Sequence, residues 1–129
     1  MVDTSQWPTG DRIWDVARAI ATAEGFGRPT AAPTLLNNPG DISDGKNQFG
    51  SEHHSGSDIT HFPNVATGWT WLYNKLNNIK EGKSHVYSNE MTWIEFAQKY
   101  AGDWSNWVVN VTNYLKVKPT DKVGDYWKD

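Results

Sequence analysis

The chain contains no cysteine, which excludes disulfide bridges and any thiolate metal site, so its 129 residues must hold together by packing alone. It also lacks any run of about 18 apolar residues, the length needed to span a bilayer as a helix. No basic amphipathic segment is present that would lie on a membrane surface. Lys and Arg are few and scattered, 12 against 15 Asp and Glu, for a net charge of −3. Nucleic-acid binders normally carry a basic face, because phosphate neutralisation supplies much of their affinity, and none is visible here. Internal repeats and low-complexity tracts are absent. The opening residues Met1-Val2-Asp3-Thr4-Ser5-Gln6 have neither the charged nor the apolar region of a signal peptide.

What the chain does have is aromatic side chains: eight Trp, five Tyr and four Phe. Only 37% of the residues are hydrophobic, so these rings must supply much of the core. Each removes about 150–250 Å² from water when buried. The length fits one domain spanning residues 1–129, with an irregular lead-in over 1–10, where Pro8 and Gly10 fall, and a tail over 120–129.

Helical signals bracket an irregular middle. Asp11 reads as an N-cap, and Ile13, Ala17, Ile20 and Glu24, spaced four, three and four apart, share one stripe of a helix over 12–24. Gly25 is its natural stop. From 26 to 64, Gly, Pro, Asn, Asp and Ser break any helical period. Short strands are expected at Thr34-Leu35-Leu36, around Ile42, and at Ile59-Thr60-His61-Phe62. The stretch from 45 to 57 reads as a solvated loop or hairpin tip. Asn37-Asn38-Pro39-Gly40 is a turn signal, with Gly40 expected to supply the positive φ of a type II turn. A second helix is expected from Val65 to Gly82 on Trp69, Leu72, Leu76 and Ile79. A third starts at Thr92, whose spacing to Glu95 is that of a capping box, with Ile94, Phe96, Ala97 and Tyr100 as its apolar residues. A fourth covers 105–115, with Val108, Val111, Tyr114 and Leu115 inward, before Pro119. Trp14, Trp69 and Trp71 are expected in the core, and Tyr126-Trp127 either packs back or stays loose. The sum is a mainly helical α+β chain.

Glu24 is the leading chemical candidate. The face that buries Ile13, Ala17 and Ile20 carries it to the edge of the core, where lost hydration raises a carboxyl pKa. The last helical turn adds the negative end of the macrodipole. Both effects keep the group protonated near neutral pH, as a general acid requires. The plainer alternative is an exposed helix-end glutamate or a structural ion pair.

The segment Ala17-Arg18-Ala19-Ile20-Ala21-Thr22-Ala23-Glu24-Gly25-Phe26, followed by Asn37-Asn38-Pro39-Gly40-Asp41-Ile42, resembles the lysozyme-like muramidases and lytic transglycosylases of bacteria and phages, the superfamily of goose-type lysozyme and the soluble lytic transglycosylases. Thr60-His61-Phe62-Pro63 with Gly68, Thr92-Trp93-Ile94-Glu95-Phe96, Lys99-Tyr100-Ala101 and Trp107-Val108-Val109-Asn110-Val111 extend the similarity over most of 12–123. The resemblance implies a helical lobe and a small β-hairpin lobe with a sugar-binding groove between them. It implies Glu24 as the acid that cuts the β-1,4 bond between N-acetylmuramic acid and N-acetylglucosamine in peptidoglycan strands. It further implies chemistry that needs no cofactor and work in an extracellular or periplasmic space, while charge and hydropathy argue for no nucleic-acid partner and no membrane insertion, and a monomer is the default expectation.

The remaining site residues follow from the same picture. Asp41, Asp44 and Asp58 all lie in the opposing segment as candidates for a base, with Asp41 preferred because it follows the turn; the alternative for each is a solvated turn aspartate. A transglycosylase needs no such base, since the sugar's own 6-hydroxyl can attack C1. Thr60 is a candidate for orienting a water or sugar. Asn38 and His61 are candidate sugar contacts, and Tyr87 and Tyr100 candidate stacking rings, as are Trp104 and Trp107; packing is the alternative for every ring. His53, His54 and His61 match no zinc spacing, and no metal is expected. Two rival functions remain: a chitin or chitosan hydrolase, and a non-catalytic glycan-binding or virion module.

Overall fold

A computed structural model describes residues 2–54 and 56–128; Met1, Ser55 and Asp129, which belong to the expected lead-in, loop and tail, lie outside the described residues. The element order is α1 (Arg12–Glu24), α2 (Ala32–Leu35), α3 (Lys46–Phe49), β1 (Ser51–His54), β2 (Ser57–Thr60), α4 (Val65–Lys80), α5 (Trp93–Tyr100), α6 (Trp104–Leu115) and α7 (Val123–Trp127). This is an α+β architecture, mainly helical, with one small antiparallel sheet.

Helix α1 is the central element, packed by α4, α6 and the short α7. Asp11 caps it by accepting the Trp14 N–H at 3.1 Å. Its buried face carries Ile13, Val16, Ala17 and Ile20, and burying one such side chain stabilises by roughly 1.5–3 kcal/mol. Gly25 ends it at φ 81°, a left-handed cap that a residue with a Cβ adopts only at a cost.

Helix α4 is capped by Asn64 and buries Trp69, Leu72, Leu76 and Ile79. The capping box of α5 forms in full between Thr92 and Glu95. Its inward residues are Trp93, Phe96 and Ala97, whereas Ile94 and Tyr100 are only partly buried. In α6, Trp107, Val108, Val111 and Leu115 face inward. Tyr114 does not: it is 41% exposed, and its hydroxyl accepts a hydrogen bond from Arg18. The tail packs back, with Trp127 buried and its indole donating to Asn89 Oδ1 at 2.9 Å.

The irregular middle holds the main departures from expectation. Thr34-Leu35 lies in α2, not a strand, because Pro33 falls in the first turn where it needs no N–H partner. Ile42 is buried without joining a strand. The stretch expected as a loop carries α3 and β1, and β1 pairs with β2 from Ser51↔Thr60 to His54↔Ser57. His61 and Phe62 lie beyond the ladder. Among the described residues no helix is long and apolar enough to cross a membrane.

Candidate active site

Because Gly25 stops α1, Glu24 sits in the last turn with its side chain leaving the core face. It is partly buried, and its Oε2 accepts the Trp107 indole N–H at 2.9 Å. Burial, and then the nearby charge of Asp41, push its pKa up from the ordinary 4.5 to about 8, against the opposing pull of the Trp107 N–H.

Asp41 reaches the same place from the turn between α2 and α3. Left-handed φ falls at Asn37 (54°) and at Asp41 itself (53°), and not at Gly40, which corrects the type II expectation. Gly40 is crowded instead: a Cβ there would lie 2.7 Å from Leu72 Cδ1 and 3.0 Å from the Tyr100 hydroxyl, so these buried side-chain ends would have to shift. Gly68 of α4 likewise leaves room for the backbone carbonyl of Asn37. The Asp41 carboxyl is raised by burial and pulled back by His54. Its Oδ1 is sealed from solvent without a hydrogen-bond partner among the described residues.

Between these carboxyls lies a cleft of about 800 Å³. Glu24, Trp107 and Asn110 line it from the helical side, and Asp41, Asp44, His54 and Ile59 from the turn and hairpin. Tyr87 and Tyr100 line it too. Tyr87 packs against Phe96 with ring centroids 4.5 Å apart, and burial, followed by the charge of Asp44, pushes its hydroxyl up to about 12. Lys75 also faces the cleft, paired with Asp44 at 3.0 Å and 5.5 Å from the Tyr87 ring centroid.

Five of the expected site residues, Asn38, Thr60, His61, Asp58 and Trp104, do not line the cleft. Asn38 is fully buried, and its amide is spent on backbone: Nδ2 donates to Ile42 O and Thr60 O, and Oδ1 accepts Ile42 N–H. It builds the turn, with both amide hydrogens taken, and burial keeps it from any sugar. Thr60 is fully buried as well, its hydroxyl donating to Asp44 O at 2.8 Å, so it holds the turn to the hairpin. His61 is exposed beside Glu52, with Nδ1 3.4 Å from the carboxylate. Tyr100 reaches the cleft, but its hydroxyl donates to Gly40 O at 2.6 Å. Asp58 is a surface residue paired with His53. Trp104 is 37% exposed and does not line the cleft. Trp107 is buried rather than free to stack on a sugar.

Two residues that line the cleft carried no sequence signal for their roles. Trp107 is the partner of Glu24 across 83 residues, and Lys75 is the partner of Asp44 across 31. Both pairings come from tertiary packing, so no local spacing announces them. Among the described residues no group of three or more His, Asp or Glu converges on a metal position.

The fold and the cleft together define a class: an α+β protein with two carboxyl groups in one groove, the more strongly raised of them neutral near pH 7. Such a pair can give a proton on one side and take one on the other. No protein-family model, no curated protein and no solved structure matches the chain.

Proposed function

We propose that this chain cleaves glycan strands of peptidoglycan at the β-1,4 bond between N-acetylmuramic acid and N-acetylglucosamine, on a lysozyme-like scaffold. The observation that carries the reading is the Glu24 carboxyl, held neutral near pH 7 on the wall of an open cleft. Glu24 gives its proton to the glycosidic oxygen, the C1–O bond breaks, and positive charge develops on the sugar ring. Water then attacks C1, and Asp41, in the same cleft, takes the proton that the water loses. Attack by the sugar's own 6-hydroxyl would leave a 1,6-anhydro end instead. The reaction so written uses no cofactor. It belongs to the extracellular or periplasmic side of a cell, and the working unit is a monomer.

Mass spectrometry of peptidoglycan digested by the wild type and by Glu24→Gln tests this, with chitin oligomers in parallel. Muropeptides with reducing ends are expected from the wild type and nearly none from the variant. A fully active variant overturns the reading. Saturable wall binding without released ends would leave a binding module, and cleavage of chitin alone would change the substrate.

A further inference from the structure

We propose that Trp107 is the positioning residue of the acid: its indole N–H occupies Oε2 of Glu24 and leaves Oε1 to carry the proton and deliver it. The inference rests on the reading of Glu24 as a proton donor.

The indole nitrogen can only donate. In a neutral carboxyl group the carbonyl oxygen is the better acceptor, so the oxygen bound to Trp107 is the carbonyl and the proton resides on the other. Trp107 is 3% exposed and cannot swing away. Its ring stacks on Tyr100 at 5.0 Å and 29°, and on Phe96 at 5.9 Å and 17°. The helix α6 that carries it packs along α1, whose last turn carries Glu24. Among the described residues no other group donates a hydrogen bond to this carboxyl.

Several charged or titratable groups share the cleft. Asp41 bears on Glu24 directly, and Tyr100 senses the Glu24 charge in turn. Arg28 and Asp103 lie on the helical side, with Asp44, Lys75, Tyr87 and His54 beyond them. None substitutes for the directed N–H. As Glu24 gives up its proton, the bond at Oε2 becomes charge-assisted and strengthens. An interaction that grows during the reaction accelerates the chemical step and not merely binding.

The test is Trp107→Phe, which keeps a ring in the stack and removes the N–H. Turnover of peptidoglycan is expected to fall about tenfold or more, with KM little changed. The Glu24 carboxyl, followed by ¹³C NMR, is expected to titrate at higher pH than in the wild type, because the lost bond favoured the ionised form. A soluble aryl glycoside whose leaving group departs without a proton is expected to be cleaved almost as fast as by the wild type. Phe96→Leu serves as a packing control, lowering thermal stability without the upward shift. A titration that stays put or moves down in Trp107→Phe, as water entering a loosened site would cause, overturns the proposal; so does equal loss on both substrates. The titration needs no turnover. A wild type inactive on every glycan would therefore remove the proposed function, while the upward shift would still establish the hydrogen bond's hold on the proton.

Discussion

The hydroxyl of Tyr100 donates a hydrogen bond to the carbonyl oxygen of Gly40 at 2.6 Å, across 60 residues of sequence. It ties α5 to the turn that carries Asp41, just as Trp107 ties α6 to the residue that ends α1. The two rings are stacked on each other, so the helical body sets the positions of both carboxyl groups. Removing the hydroxyl in Tyr100→Phe leaves a buried carbonyl unpaired. The expected cost is about 1–3 kcal/mol in denaturant unfolding, with a fall in cleavage rate as the Asp41 turn loosens.

Asn38 is expected to matter for folding more than its distance from the chemistry implies. Asn38→Ala removes three hydrogen bonds and leaves Ile42 N–H, Ile42 O and Thr60 O without that partner. A loss of about 3 kcal/mol or more is expected, read as a lower unfolding midpoint. Thr60→Val gives up one bond, to Asp44 O, and should cost about 1 kcal/mol while cleavage persists. Abolished cleavage in a folded Thr60→Val protein would return Thr60 to the chemistry.

Close approach makes a second structural test. Gly68→Ala would press a methyl group against the Asn37 carbonyl and Pro39. Both are backbone or ring atoms of a tight turn and cannot swing aside. A cost of about 1–3 kcal/mol is expected, measured by thermal or denaturant unfolding.

How legible was all this? The helices were, because their signals are local. Asp11, Gly25 and the Thr92–Glu95 box each act within one turn, and the stripe that ends at Glu24 follows from helical geometry alone. The middle of the chain was not. Thr34 and Leu35 favour a strand by composition, yet Pro33 and its neighbours start a helix. Gly40 reads as a residue chosen for its φ, whereas in the fold it is Leu72 and Tyr100 that crowd the position. Asn38 has a side chain equally suited to a sugar or to a backbone, and only the fold decides. Trp107 read as a ring that stacks on a sugar or packs, and its one polar atom finds Glu24 through the packing of α6 on α1.

The raised carboxyl carries a stability cost whose sign is fixed. Between pH 4.5, the ordinary value, and about 8 the folded protein binds more protons at Glu24 than the unfolded chain does. Stability contributed by this group is therefore full at low pH and is lost as pH rises through that window. Glu24→Gln escapes the penalty and still accepts the Trp107 N–H. It is expected to match the wild type near pH 4 and to exceed it by roughly 4 kcal/mol at pH 8, as seen in unfolding curves at the two pH values. An acid that must be protonated also sets the upper edge of activity, so cleavage should decline as pH passes about 8.

Direct titration of the Glu24 carboxyl in the wild-type protein, by ¹³C NMR with Glu24→Gln to assign the resonance, is the most decisive measurement. A midpoint near 8 is expected, with the group neutral at pH 6 to 7. A midpoint close to the ordinary 4.5 would mean an ionised carboxylate at neutral pH, unable to protonate a leaving oxygen, and the account of this cleft as an acid-driven glycan-cleaving site would fail.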